Sequence, residues 1–369
     1  MLEKGQISGW QMVLMMHPTI MASGLILMPS ITALYAKQDA WIAPIIASAI
    51  GYLNVLLVYQ LNKRYPGMTI VEYSQRIVGR IPGKIVGLIL IFFYVHANGT
   101  IIREYGEFIH SSFLFHTPMA AIIGSMLVVC AFAVRGGLEV IARCAQLVEM
   151  FLFISLVATF SLLIPDFSLS NLLPVMEHGP APSLKGAVVS SSFYSYFLLL
   201  AFVLPHLSEG NKGMKWGLYA VHLAVPTFVM LDLVPLLLYG GITGSLTYPL
   251  ISAIRYISIG EMFDHLEAVV MAIYVGGVFI KISVFFYAVV LGAAQWLGMS
   301  DYRPIVFPLA LLLFSVSLWS VGSLQELSRY FATTRPFYAL TVQTLIPVLL
   351  LAVALLRRQS RTSAVRAPP

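Results

Sequence analysis

The sequence predicts an all-α integral membrane protein of about ten transmembrane helices. Three observations carry that reading. Hydrophobic residues make up 59% of the 369 and charged residues only 10%, where a soluble domain carries about a quarter charged. Mean hydropathy is +0.87. The polar residues are thinly spread, so the longest polar intervals, 62–84 and 165–185, are loop-sized. A single polytopic membrane domain therefore covers 1–369, and the long unbroken apolar runs exclude a closed β-barrel.

A bilayer core takes about 20 apolar residues per helix. Such runs lie at 10–35, 41–61, 85–113, 118–134 and 138–164 in the first half. The second half has them at 187–207, 218–239, 267–297, 305–321 and 337–356. The first is longer than a signal-peptide core and more spans follow it, so it reads as a retained helix. Between spans, 62–84 sets Ile70, Val71, Ile77, Val78 and Ile81 among Arg76, Arg80 and Lys84, the pattern of an amphipathic helix on the membrane surface. That helix serves as a topology anchor or as a docking surface. The interval 247–264, broken by Pro249 and Gly260, reads as a short outer helix. The polar tail 357–369 reads as disordered.

With ten spans both termini share one side, and basic residues choose it. Placing the termini in the cytoplasm puts 15 Lys and Arg in inner loops and ends against five outside (Lys37, Lys185, Arg255, Arg329 and Arg335), with Arg103 and Lys281 left within spans. The net charge of +6 is thereby explained as topology. No basic patch with interleaved aromatics exists to bind nucleic acid. Cys130 and Cys144, both towards the cytoplasmic side, predict no disulfide and are too few for a zinc or iron–sulfur site. Asp264, His265 and Glu267 lack metal-ligand spacing, and H-E-x-x-H, P-loop and G-x-S-x-G motifs are missing. Neither a metal, a cofactor nor an enzyme activity is expected.

Two spans carry helix-breaking residues. The first has Pro18, then Ala22-Ser23-Gly24, then Pro29, which lets the helix unwind near Ser23. The sixth has Gly186, the run from Ser190 through Tyr194, Ser195 and Tyr196, and then Pro205. The competing reading is small residues for close helix packing. Spans one and six are equivalent members of two five-helix halves, about 9–164 and 184–356. Interrupted helices at equivalent places of an inverted repeat point to a midplane binding site in a leucine-transporter-like fold. Half-helix amides attract a carboxylate and unwound carbonyls attract an ammonium. An α-amino acid carries both.

An ordered set of short motifs adds a family. Residues 20–29, with Ala22-Ser23-Gly24 and Pro29, begin it. Tyr65-Pro66 with Glu72-Tyr73, Arg103, residues 137–143, residues 171–175 and residues 279–283 follow in order. End to end the chain resembles the B subunits of spore germination receptors, within the amino acid–polyamine–organocation transporter superfamily. It departs at Ala22, where many relatives have Gly, and at His265, where Arg is commoner.

The resemblance implies a B subunit of a nutrient germinant receptor that binds a small amino acid or similar nutrient to trigger germination. Its implied partners are receptor A and C subunits, and its implied place is the inner membrane of the spore. The alternative is a proton-coupled amino acid secondary transporter. In the superfamily spans one, three, six and eight wall the substrate site. That selects Ala22, Ser23, Gly24 and Leu25, Tyr94 and Asn98 one turn apart, Tyr194 and Ser195, and Ser283 and Tyr287 one turn apart.

Charges inside spans are functional candidates or structural pairs. Arg103 and Glu107 are spaced i, i+4 and can pair, with Glu104 beside them and Asp232 as a second partner. Lys281 and Glu149 lie at comparable depth, so Glu149 either neutralises Lys281 or leaves it free to exchange a proton. Lys281 and Ser283 sit about 200° apart around one helix, so only one faces the substrate; the expectation is Ser283.

Overall fold

The computed structural model describes residues 2–3, 5–256 and 266–357. The fold is helical almost throughout, with one isolated bridge, Ile7 to Leu207, among the described residues. The tail beyond residue 357 lies outside them, as do Asp264, His265 and the side chain of Glu267.

α1 (Gly9–Ala36) starts on a capping box in which Ser8 and Gln11 satisfy each other's backbone amides. It ends where Lys37 takes φ 52° and the chain reverses through a 3-10 segment, Lys37–Ile42. α2 (Ala43–Arg64) follows, then α3 (Ile70–Val78), which Thr69 and Glu72 cap reciprocally. This is the expected amphipathic helix, with Ile70, Val71 and Ile77 buried. α4 (Arg80–Ser112) and α5 (Met119–Gly136) come next, and Gly137 at φ +96° turns α5 directly into α6 (Leu138–Leu163). The second half has α7 (Ala181–Tyr194), α8 (Leu200–Val203), α9 (Gly213–Tyr239), α10 (Pro249–Tyr256) and α11 (Leu266–Leu297). It closes with α12 (Val306–Trp319), α13 (Leu324–Ala332), α14 (Thr334–Leu340) and α15 (Ile346–Leu356).

Eight helical stretches among the described residues are long and apolar enough to cross a membrane. Counting α12 with α13, bent by 97°, makes a ninth. The first stretch, Gly9–Arg64, is itself α1 and α2. The ten expected spans are thereby accounted for. α13 was not expected; it is an amphipathic helix whose buried side is Leu327 and Phe331. α10 forms within the expected outer helix, whose remainder lies outside the described residues.

The expected break in the first span is absent: α1 is a single 28-residue helix through both Pro18 and Pro29. Each proline removes one backbone donor. Around them Thr19, Ser30 and Thr32 hydroxyls donate to the carbonyls of Met15, Leu27 and Met28, one of the ways a spanning helix tolerates proline. The sixth span is interrupted as expected. α7 gives way to a 3-10 stretch at Ser195–Leu199 before α8 and a last 3-10 turn at Leu204–His206.

α1 is buried on nearly every side, packed by α6, α7, α9 and α11. The opposite character appears on α6, where Leu147, Met150, Phe151, Phe153 and Ile154 face outward, a lipid-facing surface. The residues before α1 form an arm. Ile7 bonds His206 and Ser208 through its backbone. The Glu3 carboxylate accepts from the amides of Gly5 and Leu138 and from the Tyr302 hydroxyl at 2.7, 3.2 and 2.8 Å. Burial alone would raise the Glu3 pKa, but these donors and nearby His206 hold it below the usual carboxylate value.

Candidate functional site

Spans one, three, six, eight and ten meet in a fully buried cluster of charges and rings. α4 supplies Glu104, α11 supplies Lys281 and the start of α14 supplies Arg335; none is more than 3% exposed. Phe193 and Tyr196 come from the α7 end where the helix tightens, and Phe331 from α13. The Arg335 guanidinium lies between Phe193 and Phe331, 4.0 and 4.2 Å from their ring centres. Stacking suits a planar, weakly hydrated cation. One of its nitrogens donates to the Tyr196 hydroxyl at 2.7 Å. The Lys281 ammonium stands 5.0 Å from the Tyr196 ring centre and 5.9 Å from that of Phe193. Glu104 sits in the field of both cations, with the Ser23 hydroxyl beside it.

These groups are not satisfied by one another. Among the described residues both Glu104 oxygens, Lys281 Nζ and Arg335 Nη1 have no hydrogen-bond partner. Unpaired buried polar atoms are rare in native proteins and each needs a reason. The cluster also has two cations for one carboxylate, so it is electrostatically complementary to a further anionic group.

A second polar chain continues below it. Tyr94 lies edge-on to Phe202 and Phe285, with its hydroxyl 3.5 Å from Gln343 Oε1. Gln343 donates to Ser195 Oγ at 2.9 Å, and Asn54 donates to the Ser195 carbonyl at 2.9 Å. Phe285 packs edge-on against Tyr196, which joins the two layers. Asn98 reaches the Ile282 carbonyl at 3.4 Å. Its Oδ1 lacks a partner among the described residues, as do Ser283 Oγ, Tyr287 Oη and Tyr194 Oη.

Several expected residues are thus brought together: Ser23, Tyr94, Ser195 and Lys281 belong to this centre. Others are turned elsewhere. Gly24 packs on Phe228 and Ala22 lies near Gly277, while Tyr194 rests on the Phe228 ring. Leu25 is buried in the apolar core. Ser283 lies beside Cys130 and Tyr287 is edge-on to Tyr302. Lys281 and Ser283 do point apart, but Lys281 is the one over the span-six rings.

The charge network is also repartnered. Arg103 and Glu107 pair at 2.7 Å as expected. Asp232 does not join them; its Oδ1 lies 2.8 Å from the Thr32 hydroxyl of α1. Glu149 does not neutralise Lys281. Its oxygen lies 2.6 Å from His17 Nδ1, and His17 Nε2 lies 3.0 Å from the Thr227 hydroxyl, so three helices meet in a buried pair. The signal for His17 is in the sequence, as an ionisable residue within a span. Arg335 was counted as an outer-loop charge, because nothing local separates a buried arginine from a loop one. At the far end of α1 a cavity of about 420 Å³ opens between Tyr35, Thr247 and Arg329. Its lining includes Ala332 and Thr333, which lie between Phe331 and Arg335 in the chain.

Comparison with known proteins agrees with this architecture. The family model described as spore germination protein matches residues 6–352. The chain is similar to spore germination protein KB of Bacillus subtilis (strain 168), 26% identical over 98% of this chain and 97% of that one. It is also similar to spore germination protein A2 of the same organism, 22% identical over 97% and 98%. Among solved structures it shares its fold with MhsT in complex with L-phenylalanine, at TM-score 0.64 and 11% identity over 95% of this chain and 99% of that one. A second is Mhp1, a nucleobase-cation-symport-1 family transporter in a closed conformation with bromovinylhydantoin bound, at TM-score 0.67 and 12% identity over 98% and 81%. These likenesses show an all-α fold of the leucine-transporter type. With a family match that runs nearly from end to end, the chain belongs to the spore germination protein family.

Proposed function

We propose that this chain is the B subunit of a nutrient germinant receptor, and that it binds a small amino acid in the buried centre between spans one, three, six, eight and ten. The observation that carries the reading is the unpaired cluster of Glu104, Lys281 and Arg335. A zwitterion supplies the missing groups, its carboxylate to the two cations and its ammonium to Glu104. Tyr94, Asn98 and Ser195 then offer hydroxyls and an amide for the rest of the ligand. Family membership supports receptor A and C subunits as partners and the inner membrane of the spore as the location.

The test is thermal-shift screening of the purified chain in lipid nanodiscs against the twenty standard L-amino acids. At least one should raise the unfolding midpoint. Lys281→Met should weaken that ligand by about 30-fold, since a hydrogen bond to a charged group contributes about 2 kcal/mol. No response to any of them, or an unchanged dose dependence in Lys281→Met, would overturn the proposal.

The fold favours a second reading, since both structural relatives are described as binding small molecules and one is named a transporter. On that reading the same amino acid should accumulate in proteoliposomes under a proton gradient. The basic-residue bias supports cytoplasmic termini. A cysteine at Ser170 should then react with an impermeant thiol reagent from outside and one at Gly213 should not. The reverse pattern would invert the orientation.

A further inference from the structure

The start of α4 and the end of α11 build a groove that the central site does not use. α4 is 33 residues long, about 50 Å at 1.5 Å per residue, against a hydrocarbon core of about 30 Å. Part of it therefore lies beyond the hydrocarbon, and Arg80 and Lys84 mark its first turns as a part that meets the headgroup layer. There Arg80, Ile81, Lys84, Ile85 and Leu88 line a cavity of about 420 Å³ together with Trp296.

Ile81, Ile85 and Leu88 follow i, i+4, i+7 and so form one stripe. Ile81 and Ile85 are 75% and 55% exposed. The aromatic wall is fixed in place, because the Trp296 indole N–H donates to the Lys84 carbonyl at 2.9 Å. The Lys84 ammonium stands 5.1 Å from the Trp296 ring centre, which holds it over the groove. Among the described residues no carboxylate lies within ion-pair distance of Arg80 or Lys84.

The geometry points to an anionic phospholipid seated in this groove, with its phosphate between Arg80 and Lys84 and an acyl chain along Ile85 and Leu88. The order of chemistry along the helix matches such a lipid: two uncompensated cations first, then an apolar floor, with an indole at the boundary between them. Basic pockets between spanning helices select lipids by headgroup charge, and indoles anchor at the interface. A zwitterionic lipid would bring a second cation to a place that has no anion to receive it.

The experiment uses the full-length chain in nanodiscs of phosphatidylcholine, with or without phosphatidylglycerol. Phosphatidylglycerol should raise the unfolding midpoint of the unaltered protein. The Arg80→Gln/Lys84→Gln double variant should lose most of that gain, and Lys212→Gln, an exposed cation elsewhere, should keep it. An unreduced gain in the double variant overturns the proposal. So does an equal loss in Lys212→Gln, which would mean diffuse attraction only. Ile85→Trp fills the groove and leaves both cations, and decides the matter if the double variant fails to fold. In native mass spectrometry it should lose the phosphatidylglycerol that the unaltered chain retains; retention would place the lipid outside the groove and overturn the proposal.

Discussion

Glu149→Ala should remove about 1–3 kcal/mol of stability, the usual cost of leaving a buried polar group without its partner. His17 would be left in the core with Nδ1 facing a void, between helices that cannot admit bulk water. His17→Ala should cost a similar amount by stranding the carboxylate, one of whose oxygens already lacks a partner among the described residues. Replacing both by leucine should recover much of the loss, because paired buried charges are often no better than well-packed apolar groups. The measurement is the amount of folded protein in the membrane fraction together with its unfolding midpoint. A midpoint in Glu149→Ala equal to that of the unaltered chain would mean the pair contributes nothing.

Gly24→Val should be nearly as damaging, for a steric reason. A Cβ at Gly24 would stand 2.4 Å from Cε1 of Phe228. That ring is itself buried with Phe193 and Tyr194 against it, so to yield it must move in a packed core. Overpacking of this kind costs about 1–3 kcal/mol or more. Gly24→Ala should already lower the midpoint, and Phe228→Leu in the same chain should restore part of it. Gly241→Ala, where nothing lies within 4 Å, should change nothing. A normal midpoint for Gly24→Ala would mean that α1 and α9 can separate at no cost. A loss of response in Gly24→Val therefore reports helix packing before it reports a ligand. Gly99→Val should be destabilising for the same reason, since its Cβ would stand 2.5 Å from Val316 Cγ1.

Helix positions were legible in the sequence because hydropathy alone sets them: a span must be apolar for about 20 residues whatever it packs against. α13 was not, because its short amphipathic run has only Leu327 and Phe331 to bury. The prolines of α1 were a real signal read too strongly. Pro18 and Pro29 weaken the backbone, but neighbouring hydroxyls and close packing keep the helix whole. At the site, helical spacing correctly separated Lys281 from Ser283, yet periodicity gives angles and not the direction of the centre. The Arg103–Glu107 pair was legible because both members are on one helix. Glu149 with His17, Asp232 with Thr32, and Arg335 between Phe193 and Phe331 were not. Each joins residues more than a hundred positions apart, and only the packed fold brings them together.

The arm before α1 has a consequence for the order in which the protein is made. Glu3 precedes Leu138 by 135 residues and Tyr302 by 299, while Ile7 precedes its partner Ser208 by 201. During synthesis the arm leaves the ribosome long before the groups that will hold it. Its last bond, from Tyr302, waits until the loop after span eight has been inserted. Fastening the arm is then among the last events of assembly, and it draws on both halves of the chain at once. A nascent or truncated chain that ends before Tyr302 can place its early helices in the bilayer but cannot complete this seal.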